Sequence, residues 1–68
     1  MYWVEVEMSN GKTIRREADN INYTYAVRNK YLETYNRKYK TGSYAVCIKT
    51  GNDHGITGGW NLLEGIAI

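Results

Sequence analysis

The chain has no proline and no phenylalanine, and its 68 residues include only one cysteine, Cys47, and one histidine, His54. One cysteine cannot close a disulfide within the chain, and a structural zinc site takes about four Cys or His ligands. The devices that staple many small domains are therefore out of reach. A lone cysteine also fits a reducing compartment better than a secreted disulfide scaffold. Long apolar runs are missing as well: nothing approaches the roughly 18 residues that span a bilayer. Met1 to Glu5 offers neither the basic n-region nor the apolar h-region of a signal peptide. The expectation is one small cytoplasmic domain over residues 1–68, independent of membranes. A domain of this length buries only about 60% of the surface of its unfolded chain, so self-association is an available source of stability.

What is present is tyrosine, seven of them beside two tryptophans. Tyrosine fills core volume but carries a hydroxyl that seeks a partner, so it suits half-buried and interface positions. Charge is unevenly spread. Between Asn22 and Lys40 the basic residues Arg28, Lys30, Arg37, Lys38 and Lys40 face a single acid, Glu33, a local charge of +4 in a chain of net charge +2.

Residues 2–8 alternate as a strand does, with Tyr2, Val4, Val6 and Met8 on one side and Trp3, Glu5 and Glu7 on the other. Asn10-Gly11 marks a hairpin turn into a second strand, Lys12 to Ala18. A two-residue loop would pair Val6 with Arg15 and mix the faces. A three-residue loop, Ser9-Asn10-Gly11, pairs Val6 with Ile14, Val4 with Arg16 and Tyr2 with Ala18, and sets Glu5 opposite Arg15. That register is the expected one. It leaves Arg16 on the inner face, where its side chain must escape at the edge.

A helix is expected from about Asn22 to Lys40, capped by Asn20 or Asn22 and stopped at Thr41-Gly42. At 100° per residue, Ile21, Thr24, Tyr25, Val27, Arg28, Tyr31, Leu32, Tyr35 and Tyr39 share the broad stripe of a helix lying on a sheet. Lys30, Glu33, Arg37 and Lys40 lie opposite, with Lys38 on the flank. A third strand is expected over Ser43 to Thr50, with Tyr44, Val46 and Ile48 on one face, followed by a turn over residues 51–55. Gly58-Gly59 reads as a bulge or bend, and Trp60 to Ile68 as a last apolar, strand-like run with Trp60 in the core. The fold class is α+β in the order β-β-α-β-β, one amphipathic helix on a mainly antiparallel sheet of three to four strands.

Chemistry is thinly represented. Cys47, His54 and Asp53 can be drawn as a nucleophile, base and orienting group, but they read more simply as a strand residue and two turn residues. The glycines at 51, 55, 58 and 59 lack the Gly-Lys-Ser/Thr ending and following helix of a phosphate loop. No catalytic residue, metal or cofactor is expected. These residues point instead to a non-enzymatic protein-binding module, such as a small regulatory or inhibitory protein of a phage or mobile element. Its candidate contacts are Trp3, Glu5, Glu7, Arg15 and Glu17 on the open sheet face and Tyr23 on the helix flank. A second copy pairing along the apolar edge of residues 62–68 is a further expected partner. The alternative is a nucleic-acid-binding module whose basic helix back, Lys30, Arg37, Lys38 and Lys40, contacts phosphates. The three acids Glu5, Glu7 and Glu17 make the sheet itself a poor platform for nucleic acid.

Overall fold

Alternation at the start of the chain has the consequence expected of it. In the computed structural model, which describes residues 1–38 and 40–68, β1 (Tyr2–Met8) and β2 (Thr13–Ala18) form an antiparallel hairpin. Its register pairs Tyr2 with Ala18, Val4 with Arg16, Glu5 with Arg15 and Val6 with Ile14, as the three-residue loop requires. Gly11 holds a φ of +88° at that loop, a left-handed position that glycine takes without strain. Arg16 is exposed at the edge, where its guanidinium donates to the Arg15 carbonyl at 2.9 Å.

Asn20 caps α1 (Ile21–Asn36), its side-chain oxygen accepting from the Asn22 amide at 2.8 Å. The helix ends at Asn36, so the expectation of helix as far as Lys40 is corrected: Arg37 is the extended C-cap, Lys38 and Lys40 lie beyond it, and Tyr39 falls outside the described residues. Length gives the reason. Sixteen helical residues rise about 24 Å, which already matches a strand of seven or eight residues at about 3.3 Å each. Thr34 then ties the helix end to the sheet, its hydroxyl donating to the Tyr31 carbonyl at 2.6 Å and accepting from the Ala45 amide at 2.9 Å.

The sheet has five strands, one or two more than expected, in the order β2-β1-β3-β4-β5 with every neighbouring pair antiparallel. β3 (Ala45–Asn52) carries a bulge opposite Glu7 and Met8, which brings Ala45 beside Met8 on the inner face and breaks the expected Tyr44, Val46, Ile48 alternation. Gly51 and Asn52 belong to β3, so the turn shrinks to Asp53 and His54. β4 (Gly55–Asn61) runs through Gly58 and Gly59, and the irregularity falls one residue earlier, where Thr57 is the extra residue. The expected last apolar run is split by a turn over residues 62–65, leaving β5 (Ile66–Ala67) as a two-residue edge strand. Asn61 starts that turn by accepting from the Glu64 amide at 3.2 Å, and Gly65 ends it at a φ of +68°.

One layer of helix on one sheet gives a small core: Val4, Val6, Met8, Ala45 and Ile48, with Ile14, Val27, Tyr31, Leu32 and Leu62 packed around it. The deepest helix residue is polar: Thr24 is 1% exposed, and its hydroxyl donates to the Ile21 carbonyl at 2.7 Å. Glu5 and Glu7 alternate with the core residues of β1 and so lie on the face turned away from the helix.

Two glycines in adjacent strands make opposite demands. A Cβ at Gly51 would overlap the Trp3 ring and the Gly55 carbonyl, whereas one at Gly58 would meet only Thr50 Oγ1 at 3.7 Å. Gly51→Ala is expected to cost about 1–3 kcal/mol, and Gly58→Ala to be neutral or stabilising by about 0.4–1 kcal/mol through the unfolded chain. Urea unfolding of the two variants beside the parent checks this; equal midpoints would show that the Trp3 ring is not held over Gly51.

Candidate functional site

Three surfaces hold the residues that could carry function. On the open sheet face the register brings Trp3, Glu5, Glu7, Arg15 and Glu17 together. The Trp3 indole donates to the Asn52 carbonyl at 3.1 Å, and the Arg15 guanidinium lies 4.7 Å from the ring centroid. Arg15 in turn bonds Glu5 Oε2 at 3.1 Å and Glu17 Oε1 at 3.2 Å. The Glu17 bond, with Glu5 beside it, holds the guanidinium above its ordinary pKa. Lys49 sits across from Glu5 on the other flank, so two of the three acids have a cation beside them. Tyr23 does not join this cluster: it is exposed on the helix, in the other layer.

The basic candidates disperse. Lys30 lies within the helix, its ammonium 5.9 Å from the Tyr31 ring centroid. Arg37, Lys38 and Lys40 follow the helix end rather than continue its back. There Lys40 lies 4.9 Å from the Tyr35 centroid and 5.6 Å from that of Tyr44, and the two rings are 6.3 Å apart. Of the expected basic residues, the helix keeps Arg28 and Lys30 beside Glu33.

The third surface comes from incomplete cover. Five strands about 4.8 Å apart are roughly 19 Å across, while a helix is about 10 Å wide. α1 packs over β2, β1 and β3 and makes no comparable contact with β4 or β5. Trp60 pairs with Ile48 and so shares its core-facing side, yet Ile48 is fully buried and Trp60 is 37% exposed. Between the helix and β4 lies a groove of about 300 Å³. Ile21, Tyr25 and Arg28 form its helix wall, Thr50 and Gly58 belong to its floor, and Trp60 stands opposite. The Arg28 guanidinium is 4.7 Å from the Tyr25 centroid and 5.6 Å from that of Trp60, and it bonds Asn29 Oδ1 through Nε and Nη2, both at 3.2 Å.

Arg28 and Trp60 were not among the site residues expected from sequence. The signal was there for Arg28, a cation inside the inward stripe of an amphipathic helix. For Trp60 the signal was its type, since interfaces favour tryptophan, but an aromatic on a core-facing strand position reads first as core filling, and only the width of the sheet exposes it.

Cys47, Asp53 and His54 are not brought together. Cys47 pairs with Glu7 and Asn61, and five residue steps along β3, about 16 Å at 3.3 Å each, separate it from Asn52 at the turn that holds His54. Burial pushes the Cys47 thiol up, with Lys49 pulling the other way. Among the described residues no group of three or more His, Cys, Asp or Glu is placed to hold a metal ion, and no helix is long and apolar enough to cross a membrane. No protein-family model, curated protein or solved structure matches the chain.

Because the thiolate is the reactive form and burial disfavours it, alkylation of Cys47 in the folded protein is expected to lag several-fold behind the urea-unfolded chain at pH 8.5. The rate should also rise to its plateau at higher pH in the folded protein. Iodoacetamide labelling followed by intact mass checks both, and equal rates would show an unperturbed thiol.

Proposed function

We propose that the chain is a non-enzymatic protein-binding module and that the groove between α1 and β4 is its receiving surface. The observation that carries this reading is the half-buried Arg28 between Tyr25 and Trp60, on the part of the core-facing sheet that the helix leaves bare. Trp, Tyr and Arg in partly desolvated pockets are the residues that dominate protein interfaces. The open sheet face is the weaker anchor, since its Trp3 indole, Arg15, Glu5 and Glu17 already satisfy one another. A domain of this size with Cys47 and His54 apart acts by occupying a partner's surface, as a regulator or inhibitor does.

The nucleic-acid reading retains one supporting feature, the meeting of Lys40 with the Tyr35 and Tyr44 rings near Arg37. Phosphate contacts are strongly salt-dependent, because binding releases condensed counterions, whereas an aromatic interface is not. Capture from a host lysate is therefore expected to survive 0.5 M salt and nuclease treatment, to persist in Lys30→Glu/Arg37→Glu, and to fail in Trp60→Ala. Circular dichroism and urea midpoints confirm that each variant folds. Capture that nuclease abolishes, or that Trp60→Ala leaves intact, would sink the groove as the interface.

A further inference from the structure

We infer that the occupant of this groove is an extended acidic segment of the partner, which adds to the free edge of β4 in line with β5 and places a carboxylate on Arg28. The inference rests on the protein-binding reading and adds to it a backbone mode and a charge.

The charge follows from the lining. Arg28 is the one charged residue among the described residues that line the groove. No carboxylate lies within ion-pair distance of it among the described residues, where the acids in such pairs are Glu5, Glu17 and Asp53. Asn29 takes only two of its five N–H groups. A half-buried guanidinium stacked between rings has lost much of its water, and a carboxylate is the group that best replaces it. The described lining contains no acid that would repel one.

The backbone mode follows from the pairing. β5 reaches β4 only at Trp60 and Asn61, through Ala67 and Ile66, and the Ile68 amide adds one bond to the Gly59 carbonyl at 2.9 Å. Gly55 to Gly58 therefore have β3 on one side and, among the described residues, no strand on the other. A strand added there would supply main-chain hydrogen bonds, with alternate side chains turned to the two faces. Side chains turned inward pass over Gly58, where no Cβ stands between the edge and Arg28. Side chains turned outward meet Ile56, which is 56% exposed and lies on the Gly51 side of the sheet. An alternation of acidic and β-branched residues satisfies both faces. The extra residue at Thr57 twists this edge locally, a feature that discourages indiscriminate pairing.

The test uses the capped hexapeptide of alternating valine and glutamate, its valine–glutamine counterpart, a version of the first N-methylated at every residue, and a ten-residue oligothymidylate. Each is titrated into the ¹⁵N-labelled protein. The glutamate peptide is expected to shift the amides of 56–60 and the Arg28 Nε signal, and to bind about tenfold more tightly than the glutamine peptide. N-methylation should abolish binding, and Arg28→Gln should erase the difference between the two peptides. Equal binding of both peptides at these residues would refute the acidic partner and leave the protein-binding groove standing. Undiminished binding of the N-methylated peptide would refute strand addition. If no peptide shifts these residues, or if only the oligothymidylate does, the groove reading falls with the inference. The two-peptide comparison on the parent protein decides the charge question even where Arg28→Gln fails to fold.

Discussion

One helix cannot cover five strands, and the rest of the molecule accommodates that mismatch. The covered part of the sheet is where the aliphatic residues are: Val4, Val6 and Met8 on β1, Ala45 and Ile48 on β3, with Ile14 at the β2 edge. Past β3 the side chains thin out. On its helix-facing side β4 contributes Gly58 where a covered strand would carry an aliphatic group, and β5 pairs through two residues. Leaving glycine on the bare part limits the apolar area in water, at the cost of a weaker strand. Trp60 is the exception to that thinning, a large apolar group placed where the helix does not reach.

The same mismatch decides which parts of the fold could be read from sequence. The register of the first hairpin was legible to the residue, because a one-residue slip would have turned Val4 and Val6 outward and Gly11 fixed the loop. The start of the helix was legible for an equally local reason, the Asn20 cap. Its end was not. The spacing of Tyr31, Tyr35 and Tyr39 continues a helical stripe, and only the length of the strands underneath shows that a helix reaching Lys40 would overrun the sheet. The bulge that puts Ala45 into the core and the turn that splits the last apolar run both depend on pairing with other strands. In the second case Asn61 and Gly65 were present as local turn signals, but the apolar residues around them masked them.

The distribution of charge changes accordingly. Sequence suggested a basic helix back opposed to an acidic sheet face. With the helix ending at Asn36, Arg37, Lys38 and Lys40 gather beyond its C-terminal end, on the side of the molecule that holds the β1–β2 loop; Ser9 and Tyr44 join the two segments there, the Ser9 amide donating to the Tyr44 carbonyl at 2.7 Å. Asp19 and Asp53 lie at the opposite end, beside the start of the helix and in the β3–β4 turn. The polarity runs along the strands, from the β1–β2 loop to the β3–β4 turn. Glu5 and Glu17 contribute little to an acidic sheet face, since Arg15 lies between them.

The molecule contains its own comparison for what an arginine beside a tryptophan does. On the outer face Arg15 stacks on Trp3 and is closed by Glu5 and Glu17, so ring, cation and acids form a finished set. On the inner face Arg28 approaches Trp60 and Tyr25 in similar geometry, but a side-chain amide is the only acceptor it finds among the described residues. The first arrangement is exposed, and exposed ion pairs are worth little to stability because water screens them. The second is half-buried, where an ionic partner is worth more and its lack costs more. Among the described residues the fold supplies two acids to the arginine that needs them less and none to the one that needs them more, which leaves the second position open to the proposed partner. The position lies in a groove, beside an unpaired stretch of strand, and a partner can reach it.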